Sequence, residues 1–253
     1  MSGHSKWHSI RHKKAAIDAK RGKIFSKLVK EITIAAQIGG GEMVNNPRLR
    51  TAVQAARDAS MPAKNIENAI KKGTGELDGG AAFEELTFEG YGPGGAAFIV
   101  TCTTDNRNRT AAEIRHVFSK QGGNLGESGC VSWMFERKGQ IRVEAPADKE
   151  DLIMEAGLEA GASDISYEGD DSFMVVTEPS DEILEAVRAA LVARGLTVSS
   201  SEIARVPNNT VALSPEHARK CLKMSEAFED HDDVQSVSFN FELSDELLEE
   251  MAG

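Results

Sequence analysis

Apolar residues recur with a helical period in the first third of this chain and with a strand period after it. From Lys23 to Gln37 the stripe Ile24, Leu28, Ile32 and Ala36, flanked by Phe25, Val29 and Ala35, repeats every four residues. That spacing predicts a helix over 23–37 with one apolar face. Gly39-Gly40-Gly41 ends it. Asn46-Pro47 starts a second helix, with Asn as cap and Pro in the first turn; Leu49, Val53 and Ala56 form its apolar face. Ser60-Met61-Pro62 interrupts, and Ile66, Ala69 and Ile70 predict a third helix ending at Gly73. Short connections between the three predict a small helical domain.

Residues 73–82 read as a linker rich in glycine. Beyond it Glu84–Tyr91 and Ala96–Thr103 predict two strands, joined by a tight turn at Gly92-Pro93-Gly94-Gly95. Thr110 and Glu113 have capping-box spacing and predict a helix from Thr110 to about Lys120, which Gly122-Gly123 stops. Val131–Phe135 predicts a further strand. Residues 139–206 then give strand (Gln140–Glu144), helix (Lys149–Ala160), strand (Ser163–Glu168), strand (Ser172–Thr177), helix (Asp181–Arg194) and strand (Thr197–Val206). This is the ferredoxin-like split βαβ order, with Gly169-Asp170-Asp171 as the central turn. After Pro207 come a short strand (Thr210–Leu213), a helix capped at Ser214-Pro215 and reaching Glu229, and a strand (Val234–Phe239).

The pieces on either side of 139–206 each leave a sheet half built. The expected fold class is therefore α+β and multidomain, with an N-terminal three-helix domain plus two ferredoxin-like α+β domains, one inserted in the other. The expected boundaries are 1–76 for a basic arm and helical domain, 77–138 plus 207–243 for a discontinuous α+β domain, 139–206 for the inserted one, and 244–253 for an acidic tail. A length of 253 residues and an apolar fraction of 40% suit more than one domain with real cores.

Charge then changes the picture. The chain carries a net −11, but residues 1–72 hold 15 Lys and Arg against 5 Asp and Glu, a net +10, leaving −21 for the rest. Nine of these cations (Lys6, Arg11, Lys13, Lys14, Lys20, Arg21, Lys23, Lys27 and Lys30) lie in the first thirty residues, against one acid, Asp18. Trp7 and three histidines, His4, His8 and His12, sit among them. Lys and Arg neutralise phosphates and an aromatic ring stacks on an unpaired base, so the stretch reads as a nucleic-acid contact, against the plainer alternative of a solvated face. The histidine spacing would share a helical face, yet no Cys or carboxylate lies close in sequence and the surrounding charge is positive; no metal site is expected.

The remaining motifs yield little chemistry. Gly90–Gly95 lacks the ending of a phosphate-binding loop and precedes a strand, so it reads as a hairpin. In Thr104–Thr110, Asp105, Asn106 and Thr110 suit capping, while Arg107 and Arg109 are left either to bind RNA or to pair with the acidic body. His116 reads as structural. Asp230, Asp232 and Asp233 read as loop carboxylates without visible partners. No nucleophile elbow, metalloprotease helix or dinucleotide fingerprint is present, so no enzyme activity and no cofactor are expected. Cys102, Cys130 and Cys221 are odd in number and widely spaced, which fits a reducing compartment. No apolar run reaches membrane-span length.

The opening Ser2-Gly3-His4-Ser5-Lys6-Trp7, with Ile10 and Lys14, closely resembles the N-terminal signature of the YebC/PmpR family. Met61-Pro62 with Asn65-Ile66-Glu67 and Ala69–Gly73, Glu89–Gly95, Thr104–Thr110 and Gly122–Gly126 resemble that family's internal blocks in the same order. The resemblance is weakest over 140–205, and Cys130 stands where a small hydroxyl residue is expected. A signature beginning at residue 2 reads as mature protein and not as a mitochondrial presequence. The resemblance implies a cytoplasmic protein of three domains without catalytic residues. The family is described as transcriptional regulators that bind DNA, and members have also been linked to translation on the ribosome.

Two functions follow as expectations. One is a DNA-binding regulator of transcription. The other is a ribosome-associated translation factor contacting rRNA or tRNA, to which Trp7 and the absence of a visible helix-turn-helix lean. A protein-binding role through the acidic surface is a third option. The nucleic-acid contacts expected are His4, Lys6, Trp7, His8, Arg11, Lys13, Lys14, Lys20, Arg21, Lys23, Lys27, Arg107 and Arg109.

Overall fold

The computed structural model describes residues 19–77 and 82–242. Helix α1 (Ala19–Gly39) starts four residues before the predicted start at Lys23. Its stripe is graded: Ile32, Ala35 and Ala36 are buried, while Ile24 is 47% exposed. Helices α2 (Pro47–Asp58) and α3 (Ala63–Gly73) pack against it. Asn46 joins the first two: its side chain accepts from the Leu49 N–H at 3.0 Å and donates to the carbonyls of Ala35 and Gly40, each at 2.8 Å. One residue thus starts α2 and satisfies two carbonyls at the end of α1. Gly73 lets α3 close on α1, since a Cβ there would run into the Thr33 carbonyl.

Two antiparallel sheets follow. The first takes strands β1 (Glu84–Tyr91), β2 (Ala97–Thr104), β3 (Asn124–Leu125) and β9 (Val234–Phe239) in the order β3-β1-β2-β9. Helices α4 (Arg107–Lys120) and α7 (Pro215–Glu229) pack on it. Its core is aromatic: Phe98 lies 6.3 Å edge-on to Phe118 and within 6.2 Å of Phe228, Phe239 and Phe241. The other face of β2 is also covered, as Ala97 and Ile99 meet Val131 and Phe135. A strand buried on both faces explains the unbroken apolar run Ala96–Val100.

The second sheet has the order β5-β6-β4-β7, built from β4 (Phe135–Glu144), β5 (Ala162–Gly169), β6 (Ser172–Thr177) and β7 (Thr197–Pro207). With α5 (Glu150–Ala160) and α6 (Asp181–Ala193) on one face, this is the ferredoxin-like arrangement. The β5–β6 turn holds Asp170 at φ 50° and Asp171 at φ 54°, the left-handed pair that a two-residue hairpin needs and that Asp tolerates. Short strands β8 (Val211–Ala212) and β10 (Phe241–Glu242) pair in parallel.

Two local expectations need correction, and one element was not foreseen. Val131–Phe135 is not a strand: Ser132–Met134 forms a 3₁₀ turn, and β4 begins at Phe135 and runs unbroken to Glu144. Thr110 does not cap α4; Asn106 does, accepting from the Arg109 N–H at 3.1 Å. The short strand β3, only two residues long, carries too little pattern to be read in advance. The acidic tail from Ser244 lies outside the described residues.

Candidate nucleic-acid interface

Positive charge is concentrated at the N-terminal end of the chain. His4, Lys6, Trp7, His8, Arg11, Lys13 and Lys14 lie outside the described residues. Lys20 and Arg21 fall on the first turn of α1. The next lysines of that helix turn inward, toward the rest of the molecule. Lys23 Nζ donates to the Asp230 carbonyl and to its carboxylate, both at 3.2 Å. Lys27 Nζ donates to the Glu229 carbonyl at 2.9 Å. Lys30 Nζ donates to the Asp232 carbonyl at 2.8 Å and to Asp233 Oδ1 at 2.7 Å. Spacings of four and three residues put these ammonium groups on one face of α1. Their targets are the last residues of α7 and the turn after it, where the helix leaves carbonyls unpaired and its dipole is negative.

Asp233 is the centre of this seam and is 5% exposed. Its Oδ1 takes Lys30; its Oδ2 lies 2.9 Å from Arg109 Nη2 and 2.7 Å from the Thr110 hydroxyl. Burial opposes ionisation, but hydrogen bonds from Lys30, Arg109 and Thr110 together outweigh it and hold the carboxyl far below the usual aspartate range. The Asp233 N–H donates to His231 Nδ1 at 3.1 Å, so the neutral ring carries its proton on Nε2, which faces Glu113 Oε2 at 2.8 Å. Asp230 and Asp233 are thus paired, contrary to their reading as free loop carboxylates. Arg109 pairs with the acidic body, through Asp105 at 3.1 Å and Asp233 at 2.9 Å. Arg107 stays at the surface, 3.9 Å from Glu84.

Glu113, His231 and Asp233 place one donor each within 4.8 Å of one another, as a metal site would. Both Asp233 oxygens are already engaged, however, and Lys30 and Arg109 supply the positive charge an ion would bring. The arrangement is a salt-bridge network. Burial pushes the Cys102 and Cys221 thiols up to about 12, so neither is a thiolate at neutral pH, and burial also raises the half-buried Cys130 thiol.

A second seam ties the helical part to both sheets. Arg48 Nε lies 2.8 Å from Glu31 on α1, and its Nη1 lies 3.1 Å from Glu85 on β1. Arg50 Nε lies 2.7 Å from Glu185 and Arg188 Nη2 lies 2.9 Å from Asp58, joining α2 to α6. Sequence reasoning offered the Arg109 pairing as one alternative but missed the lysine contacts of the first seam and the whole of the second. The one available signal was the spacing of Lys23, Lys27 and Lys30, which matches a helix face as well as it matches a charge run.

A family model described as the TACO1/YebC protein N-terminal domain matches residues 5–76, and one described as the TACO1/YebC second and third domain matches residues 83–241. The chain belongs to the TACO1/YebC family. A relative from Syntrophus aciditrophicus, named a probable transcriptional regulatory protein, is 53% identical over 252 residues, covering 100% of both chains. Another so named, from Halothermothrix orenii, is 55% identical over 255 residues, covering 99% of each. The crystal structure of the conserved hypothetical protein Aq1575 from Aquifex aeolicus superposes with a TM-score of 0.84 at 49% identity, covering 93% of this chain and 96% of that one. The two relatives match essentially the full length, and the Aquifex structure shares the fold over 93% of this chain. No helix among the described residues is long and apolar enough to cross a membrane.

Proposed function

We propose that this TACO1/YebC protein is a non-enzymatic regulator of gene expression that binds nucleic acid through its basic N-terminal region. The observation that carries this reading is the division of labour among the nine early cations. Lys23, Lys27 and Lys30 bond to the α7 terminus and fix α1 against the body. Lys6, Arg11, Lys13, Lys14, Lys20 and Arg21 all precede that anchored stretch. With His4, Trp7 and His8 they form the proposed contact; Arg107 adds to it, whereas Lys23, Lys27 and Arg109 serve as anchors. Residues 1–76 are then the binding body, and 77–138 plus 207–243 and 139–206 are the two α+β bodies that carry it in a reducing, cytoplasmic setting.

Duplex DNA is favoured by α2 and α3, two helices joined by residues 59–62, the second of which exposes Lys64, Asn65 and Asn68. The ribosome is favoured by Trp7, a stacking ring within a basic run. Sedimentation of cell extract at moderate salt separates them. Co-migration with ribosomes that survives DNase, and disappears on deleting residues 2–21, establishes the translational role. A footprint on a duplex site, with no ribosomal fraction, establishes the transcriptional one. For either target, changing Lys13, Lys14, Lys20 and Arg21 to Ala flattens the slope of log affinity against log salt by about 0.7–0.9 for each phosphate no longer neutralised. An unchanged slope removes these residues from the interface.

A further inference from the structure

Trp133 keeps 70% of its surface in solvent, the most exposed aromatic ring among the described residues. It is nevertheless held firmly. Its indole N–H donates to the Cys130 carbonyl at 3.1 Å, and the Tyr91 hydroxyl donates to the same oxygen at 3.0 Å. The loop beneath is organised by Glu89, which is 5% exposed and accepts the backbone N–H groups of Gly129, Val131 and Ser132 at 2.8, 2.9 and 2.8 Å. Burial opposes ionisation of Glu89, yet those three bonds outweigh it and hold the carboxyl below its usual range. The loop is thus locked by a charged anchor at neutral pH. A ring presented in this way loses little freedom when something stacks on it.

A second observation lies on the strand that follows. Arg137 of β4 and Arg205 of β7 are direct cross-strand partners, so their guanidinium stems leave the same face of the sheet. Like charges placed opposite each other destabilise a sheet unless something shares them. Neighbouring Lys138 has Glu136 at 3.4 Å. Neither Arg137 nor Arg205 has a side-chain partner among the described residues. Arg137 is four residues from Trp133, which at the rise of a strand is within about 13 Å. The far end of β7 is tied to the same turn, since the Asn208 N–H donates to the Met134 carbonyl at 2.8 Å.

We propose that Trp133 with the Arg137/Arg205 pair is a second contact for single-stranded nucleic acid, in which the indole stacks on an unpaired base and the guanidinium groups share a neighbouring phosphate. A rigid aromatic face followed four residues later by a cross-strand arginine pair that makes no ion pair among the described residues is the chemistry that single strands select, although Glu136, Asp164, Glu168 and Glu178 share the cleft that Arg137 lines. The contact uses residues other than those of the basic arm and does not rest on it.

The chain has two tryptophans, Trp7 and Trp133, so W7F leaves Trp133 as the only indole emitter. The full-length protein is titrated with a mixed-sequence strand of ~12 nucleotides, as RNA and as DNA in separate arms. The expected result is quenching of Trp133 emission by at least one of the strands. W133A weakens binding of that strand about 5- to 100-fold, W133F recovers most of the affinity, and R137A with R205A flattens the salt slope by about 0.7 for each phosphate no longer neutralised. Emission unchanged at saturation, or W133A affinity unchanged for both strands, overturns the proposal and leaves the exposed ring to a protein partner. K13A/K14A/K20A/R21A is run beside it. Binding abolished there but intact in W133A sinks the Trp133 site and keeps the arm; the reverse keeps the Trp133 site and sinks the arm.

Discussion

Two ionic seams hold the helical part of this protein to its sheets, and both pair basic side chains with carboxylates at similar distances. In one, Lys30 and Asp233 meet at 2.7 Å with side chains 16% and 7% exposed. In the other, Arg50 and Glu185 also meet at 2.7 Å, but with side chains 27% and 44% exposed. Distance therefore does not separate them; burial does. An ion pair in solvent is screened and gains little, whereas a charge closed off from water is costly to leave without its partner. The seam of α1 on the α7 turn is expected to behave as part of the fold. The seam of α2 on α6 is expected to behave as an adjustable contact between bodies.

The largest effect expected from this difference is at Asp233. Asp233→Ala leaves Lys30 and Arg109 without their shared carboxylate and is expected to lower unfolding stability by about 3–5 kcal/mol, read by urea titration. A decrease under about 1 kcal/mol would put the buried seam in the same class as the exposed one. The acid limb is the next test. Asp233 ionises well below the usual aspartate range in the folded protein, so its contribution is fully present above about pH 4 and disappears as pH falls toward the folded value. Asp233→Asn is therefore expected to make stability less dependent on pH below about 4 while leaving the slope near neutrality unchanged.

Smaller effects belong to the exposed pairs. Arg188→Ala and Arg50→Ala are each expected to cost about 0.2–1 kcal/mol, and raising salt toward 1 M is expected to erase most of that difference. Lys23→Ala sharpens the contrast from inside the first seam. Its pair with Asp230 is 45% and 63% exposed, so it should resemble Arg188 in size although it sits two helical turns from Lys30. Should Lys23→Ala instead approach the Asp233 effect, the seam acts as one cooperative unit and burial of single pairs is the wrong measure.

Much of the fold was legible because its elements follow local rules. The bounds of β1 and β6, the caps at Asn46 and Ser214, and the six-element order of residues 139–206 all follow from period and turn chemistry. Where reading failed, a local rule met a non-local competitor. Thr110 has the spacing of a cap, but its hydroxyl is taken by Asp233, 123 positions away. Val131 to Phe135 is apolar enough for a strand, but Glu89 captures the N–H groups of Val131 and Ser132 and bends the chain into a turn. Of the candidate site, the cations could be counted in advance, but not their partners. Arg109 differs from Arg107 in nothing that sequence shows; only the arrival of Asp233 on the α7 turn separates the anchor from the exposed side chain.

The amino-acid sequence by itself determined the helical and strand segments, the ferredoxin-like order and the asymmetry of +10 against −21, since period, turns and charge are properties of neighbouring residues. Tertiary structure alone decided which of those charges face each other. Pairing depends on residues some two hundred positions apart being brought within 3 Å, as Lys27 and the Glu229 carbonyl are at 2.9 Å, and the strength of each pair depends on how much water the surrounding fold shuts out.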